Sequence, residues 1–153
     1  MSHWPLEALH RLKPWQAHLG KRLTQSPKLF VRDSGLLHAL LGHPAVGVSW
    51  EGFVLDNLIT AAGPQVSAHF YRTSAGAEID LPLHGPDGEC WAIEVKRSLS
   101  PKPERGFHTA CDKLRPQHRL VVYPGQDTFP LASATEAIPA ATLCRPLARE
   151  AQA

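Results

Sequence analysis

Asp80, Glu94 and Lys96 are the residues of this chain whose types and spacing can do chemistry. Two carboxylates and an ammonium gathered on one face of a strand pair can hold a divalent metal. They lie in the segment GAEIDLPLHGPDGECWAIEVK, residues 76–96, and alternation assigns their face. Ile79, Leu81 and Leu83 on the first arm, and Trp91, Ile93 and Val95 on the second, form apolar rows of period 2, the pattern of half-buried strands. The other rows are Glu78, Asp80 and Pro82 against Cys90, Ala92, Glu94 and Lys96, joined by the turn Gly85-Pro86-Asp87-Gly88. Pairing His84 directly with Glu89 would set Asp80 opposite Ile93 and bring the faces into conflict. The expected register therefore pairs His84 with Cys90 across a five-residue connection or bulge, so that Asp80 faces Glu94.

Elements on either side must hold this hairpin. In residues 1–26 the spacing of Leu6, Leu9, Leu12, Trp15, Leu19 and Leu23 suggests helix, but Pro5 and Pro14 break it into short pieces, with a strand near Leu9 to Leu12. Leu29-Phe30-Val31 is a short strand, and Asp33 or Ser34 caps a helix through Leu41 that stops at Gly42 and Pro44. Ser49 is the expected cap of a helix from Trp50 to Ala62, with Phe53, Val54, Leu58 and Ala61 facing the core and Glu51 in its first turn. Residues 67–73 are extended and lead through Ser74-Ala75-Gly76 into the hairpin. Beyond it, a helix from Glu104 to Leu114 joins the Glu94 strand to a parallel strand at Arg119–Tyr123, a crossover that implies a mixed sheet. A short strand near Ala137-Ile138 and a helical turn at Ala140 to Cys144 follow. The expected organisation is an N-terminal segment, 1–26, packed on one α/β domain, 27–145, with a frayed tail at 146–153.

A chain of 153 residues is long enough to remove roughly 70% of its unfolded surface from water as one domain. Cys90, Cys111 and Cys144 are odd in number and form no CxxC pair, which favours reduced thiols over a disulfide framework or a zinc site. No apolar run approaches the roughly 20 residues of a membrane span, and Met1-Ser2-His3-Trp4-Pro5 lacks the blocks of a signal peptide, so the cytoplasm is the expected compartment. The net charge of +2 identifies no partner, although Lys21, Arg22, Lys28 and Arg32 cluster, as do Lys96, Arg97, Lys102 and Arg105. Such runs are more often solvated faces.

The order of elements carries a resemblance. A helix with Glu51, a strand with Asp80, a strand with Glu94-Val95-Lys96, then a helix and a strand resemble the PD-(D/E)xK nuclease superfamily. More narrowly, KLFVRDSGL at 28–36, WEGFV at 50–54, FYRTSAGAEID at 70–80 and IEVK at 93–96 resemble the uncharacterised C-terminal domain of many prokaryotic P-loop ATPases. Four motifs in the right order make this specific, where a lone ExK triplet would mean nothing. The resemblance implies a restriction-endonuclease-like α/β fold with a mixed sheet flanked by helices, and hydrolysis of DNA with Mg²⁺ or Mn²⁺. Asp80 and Glu94 would be the metal ligands, the Val95 carbonyl a further one and Glu51 an accessory acid, with Lys96 orienting water or stabilising charge on the scissile phosphate. Glu78 shares the Asp80 face and is a substitute ligand. Ile79 occupies the proline position of the superfamily motif, a position that varies widely. No GxxxxGK[ST] loop occurs, so the chain is not itself expected to hydrolyse ATP, and a P-loop ATPase is an expected partner instead.

Each feature also has an ordinary explanation. Asp80, Glu94 and Lys96 would otherwise be a solvated hairpin face with a cross-strand ion pair worth a few tenths of a kcal/mol. Glu51 in a first turn would favour the helix dipole. Arg72 can contact a phosphate or simply end a strand in solvent. The nine His residues form no HxH or HExxH pattern, so His69 and His108 are read as surface or satisfied core. Trp15, Trp50 and Trp91 are expected as packing anchors, and Ser74 and Ser98 lack the Gly-x-Ser-x-Gly elbow of a serine hydrolase. The alternative to a nuclease is a non-catalytic accessory domain that binds an ATPase or self-associates through apolar residues near Trp4, Trp15 and Phe129.

Overall fold

Nine strands and three helices make up the described part of the chain. The computed structural model describes residues 9–15, 26–31 and 46–150. The strands are β1 (Leu9–Pro14), β2 (Lys28–Val31), β3 (Ser67–Arg72), β4 (Glu78–Ile79), β5 (Leu81–His84), β6 (Cys90–Val95), β7 (His118–Tyr123), β8 (Phe129–Pro130) and β9 (Glu136–Pro139). The helices are α1 (Val46–Ala62), α2 (Arg105–Leu114) and α3 (Ala140–Glu150). One mixed sheet runs β2-β1-β3-β5-β6-β7-β9-β8, with β4 also pairing with β3. β6 meets β5 antiparallel and β7 parallel, as the hairpin and the crossover through α2 require.

The hairpin register is the expected one, with His84 opposite Cys90 and Leu81 opposite Ile93. Its faces differ from expectation in one respect. On the β3 side, Ala68 pairs with Leu83 but Tyr71 pairs with Ile79, so three residues on the β4–β5 arm oppose two on β3. This one-residue slip is a bulge, and Asp80 lies within it. Alternation breaks there: Leu81 and Leu83 join one core with Trp91 and Ile93, whereas Ile79 joins another with Ala92.

Both faces of the sheet are therefore apolar. Val54, Leu55 and Leu58 of α1 and Leu143 and Leu147 of α3 cover the first, and Phe107, Ala110 and Cys111 of α2 cover the second. The hairpin is not half-buried but buried on both sides from Leu81 to Leu83 and from Cys90 to Glu94, because the crossover helix returns over the face that alternation alone would leave to water. α2 begins after Glu104, whose extended backbone (φ −80°, ψ 159°) forms the N-cap, and ends at Arg115 in the left-handed region (φ 48°), whose N–H bonds the Cys111 carbonyl.

Other expectations need correction. α1 starts at Val46, so Ser49 lies inside it and Glu51 is beyond the first turn, which holds no acidic residue. Phe53 is 51% exposed, and Leu55 takes its place in the core. The strand expected near Leu9 to Leu12, by contrast, is present as β1, between β2 and β3. The tail expected to fray from 146 stays helical to Glu150 and buries Leu147. Trp15 is half-buried, stacked on His84, and Phe129 is half-buried edge-on to Tyr123, so neither offers an open apolar patch. The helix expected from Asp33 or Ser34 to Leu41 and the expected contact near Trp4 lie outside the described residues. Among the described residues no helix is long and apolar enough to cross a membrane.

Gly106 sets how closely α2 approaches the hairpin. A Cβ there would lie 2.4 Å from the Gly76 carbonyl oxygen, a backbone atom that cannot turn aside. Gly106→Ala should therefore push α2 off the 73–77 turn and lower stability by about 1–3 kcal/mol, an overpacking cost measurable by urea denaturation.

Candidate functional site

Four elements converge beyond the carboxyl end of β6. Asp80, in the bulge, accepts a hydrogen bond from the Val95 N–H through Oδ2 at 2.9 Å, which fixes its carboxylate against the Glu94 strand. Glu94 is 6% exposed, on the β6 side covered by α2. Lys96 lies one residue past the strand, where its N–H continues the ladder to the Val122 carbonyl at 2.8 Å. The Trp50 indole of α1 donates to the Lys96 carbonyl at 3.3 Å, tying the helix that carries Glu51 to the end of β6.

Side chains complete the arrangement. Lys96 Nζ is 3.0 Å from Glu94 Oε1 and also pairs with the carboxylate of Glu104. The Glu104 N–H, at the start of α2, donates to Glu94 Oε2 at 3.3 Å. A pocket of about 250 Å³ opens here, lined by Glu51, Glu78, Asp80, Glu94, Val95, Lys96 and Glu104 with Gly76, Gly106 and Phe107. Every site residue expected from the sequence lines this one pocket, Glu78 among them.

Its electrostatics are those of crowded, partly dried carboxylates. Burial pushes the Glu94 carboxyl up to about 7, with Lys96 opposing and Asp80 reinforcing the shift. Asp80 is raised by burial against the opposing Val95 hydrogen bond, and Glu51 by burial and then by the negative field of Asp80. Burial alone would lower the Lys96 ammonium, but its hydrogen bonds to Glu104 and Glu94 outweigh this and raise it. A hard cation fits this donor set, which is all oxygen and carries negative charge that a cation would relieve. Among the described residues no three His, Cys, Asp or Glu side chains form a ready-made cage. Mg²⁺ commonly takes one or two carboxylates and keeps several waters.

Sequence reasoning missed Glu104 as a site residue and reached it only as the start of a helix. The crossover contained the signal, since a helix that follows the Glu94 strand after a short connection must begin near that strand's carboxyl end. The remaining candidates are settled by packing. Burial pushes the Cys90 thiol up to about 11 and the Cys111 thiol up to about 12, as befits core residues. His69 and His84 gather around Trp15, and burial lowers both imidazoles. His69 and His108, read as surface or satisfied core, are both partly buried, and Nδ1 of each has no hydrogen-bond partner among the described residues.

Two curated relatives, uncharacterized proteins of Mycobacterium bovis and Mycobacterium tuberculosis, are each 38% identical to the chain over 141 residues. The match covers 86% of this chain but 32% of each relative, so the chain spans about a third of their length. No solved structure matches it. The family model described as a domain of unknown function, DUF8612, matches residues 6–46. A second model matches residues 46–143, which hold Glu51, Asp80, Glu94 and Lys96, and on that match the chain belongs to the family described as Domain of unknown function (DUF4143).

Proposed function

We propose that this domain is a PD-(D/E)xK-type, Mg²⁺- or Mn²⁺-dependent DNA endonuclease or a degenerate relative of one. The observation that carries the reading is the meeting of Glu51, Asp80, Glu94 and Lys96 in one polar pocket. Helix α1, the Asp80 bulge and the end of β6 bring them from distant parts of the sequence. Glu51 lies beyond the first turn of α1, so the helix dipole does not explain its place.

Asp80 and Glu94 would hold the metal, with the Val95 carbonyl and Glu51 as further oxygen donors. When bound, the ion supplies charge neutralisation at a phosphodiester and activation of water. The Val95 N–H keeps Asp80 oriented without a side chain having to be ordered on binding. Lys96 keeps its ammonium beside Glu94 and is the group able to meet negative charge developing on phosphate oxygens. Glu104 holds that ammonium in its resting place from an exposed position and can exchange it for solvent or substrate at little cost.

A second reading has its own support. Leu29, Phe53 and Leu99 are large apolar residues left 63%, 51% and 73% exposed, and the relatives are about three times longer than the chain. A non-catalytic domain that docks on a P-loop ATPase, or on a second copy, would use such side chains and would tolerate the loss of Lys96.

Incubation of supercoiled, linear and branched DNA with Mg²⁺ or Mn²⁺ separates the two. The nuclease reading expects cleavage that EDTA stops, that Asp80→Ala with Glu94→Ala abolishes and that Lys96→Ala slows by roughly 100-fold or more. Absence of cleavage by folded, metal-loaded protein would leave the accessory reading.

Acidity offers an independent check. The folded-state pKa of Glu94 lies above the ordinary carboxylate value of 4.5, at about 7, so the stability linked to its proton is fully present below 4.5 and is lost as pH rises through 7. Without metal, thermal stability should fall between pH 5 and pH 8. Glu94→Gln should remove up to about 3 kcal/mol of that dependence. Calorimetry of Mg²⁺ binding near pH 7 should also detect proton release that vanishes in Glu94→Gln.

A further inference from the structure

Beside the acidic pocket lies a second cavity of about 290 Å³, lined by Ser26, Lys28, Phe70 and Arg72. Glu78 stands between the two. Its carboxylate lines the acidic pocket, yet its ion pairs reach the other way. Arg72 approaches Glu78 Oε1 at 3.1 Å and Oε2 at 3.2 Å, and Lys28 Nζ lies 3.4 Å from Oε1. Lys28 also sits 5.3 Å above the centre of the Phe70 ring, which holds the ammonium over an apolar floor.

A guanidinium and an ammonium converging on one carboxylate make an arrangement that suits a phosphate equally well, since both anions offer oxygens at hydrogen-bond distance and phosphate offers more of them. Glu78 cannot be explained as a buried structural pair, because the side chains of Glu78 and Arg72 are 34% and 56% exposed. Ion pairs with this exposure contribute at most about 1 kcal/mol and are exchanged readily. We infer that Lys28 and Arg72 form a phosphate-binding subsite for a nucleic-acid backbone next to the acidic pocket, and that Glu78 is its resident anion, displaced when a strand binds. This deepens the nuclease reading and rests on it for the identity of the ligand. It gives Arg72, an ordinary strand-end residue by sequence, a place on the substrate path, and it makes Glu78 a competitor of substrate rather than a metal ligand.

The test is equilibrium binding of a fluorescent DNA duplex by anisotropy in EDTA, where cleavage plays no part. Glu78→Gln should tighten binding about fivefold or more, because it removes a carboxylate that competes with phosphate for Lys28 and Arg72 and repels it. Lys28→Gln with Arg72→Gln should weaken binding about tenfold and lower the slope of log K against log[salt] by about one. Arg145→Gln, an exposed change on α3 that lines neither pocket, should change neither. The contrast of sign removes a merely structural explanation, since both sets of variants break the same ion pairs but move affinity in opposite directions. Unchanged or weaker binding by Glu78→Gln, wild-type binding by the double variant, or no DNA binding by any form would overturn the inference. The expected binding pattern without metal-dependent cleavage would sink the nuclease activity alone, whereas cleavage with affinity indifferent to these variants would sink the subsite alone.

Discussion

A carboxylate can be kept on a nearly dry sheet face only if other groups share its charge, and Glu94 is the residue around which this domain meets that condition. Lys96 serves one oxygen and the Glu104 N–H the other. Removing one partner of a buried ion pair commonly costs about 3–5 kcal/mol, because the remaining charge is stranded. The end of β6 and the beginning of α2 are thus held in register by the same group that would hold a cation. Even so, Glu94 keeps a proton affinity well above that of an exposed glutamate. A group whose interactions compensate burial only in part is common where a ligand completes the balance.

The hairpin shows why some of this could be read in the sequence and some could not. Pairing His84 with Cys90 followed from requiring Asp80 to face Glu94, and the structure has that pairing. Alternation could not reveal the slip at Asp80, because Ile79, Leu81 and Leu83 keep their period in the sequence while the bulge sends Ile79 to the opposite core. Nor could it show that the Ala92 and Glu94 face is covered, since small or polar residues at those positions suit solvent and a close-packed helix equally. What decides between them is the glycine at 106, whose missing Cβ admits the Gly76 carbonyl.

α1 illustrates the opposite case. A Ser before an apolar run is a good start signal, and Ser49 offers one, but the helix begins at Val46. The apolar pair Val46 and Val48 gave no hint of a helix start, being better suited by propensity to strands. That displacement by one turn also changed the meaning of Glu51. Its proximity to the site comes from tertiary placement, with Trp50 anchored on the Lys96 carbonyl, and no local pattern encodes such a contact. Mixed α/β architecture, by contrast, was legible from the hairpin and the crossover together, because few topologies satisfy both.

The site stands at the rim of the sheet, past the last paired residues of β6, and the chain leaves that rim through the segment 97–104 before α2 begins. Within that segment residues 97 to 100 are exposed, and Leu99 projects furthest of its apolar side chains. Strand pairing and both cores are completed elsewhere. A lineage can therefore lengthen, shorten or recharge the exposed stretch 97–100 without breaking a ladder hydrogen bond or emptying a core position. Inheritance of the acidic centre and drift of what it recognises are mechanically separable in this fold, so members sharing Asp80 and Glu94 are free to diverge in the company they keep.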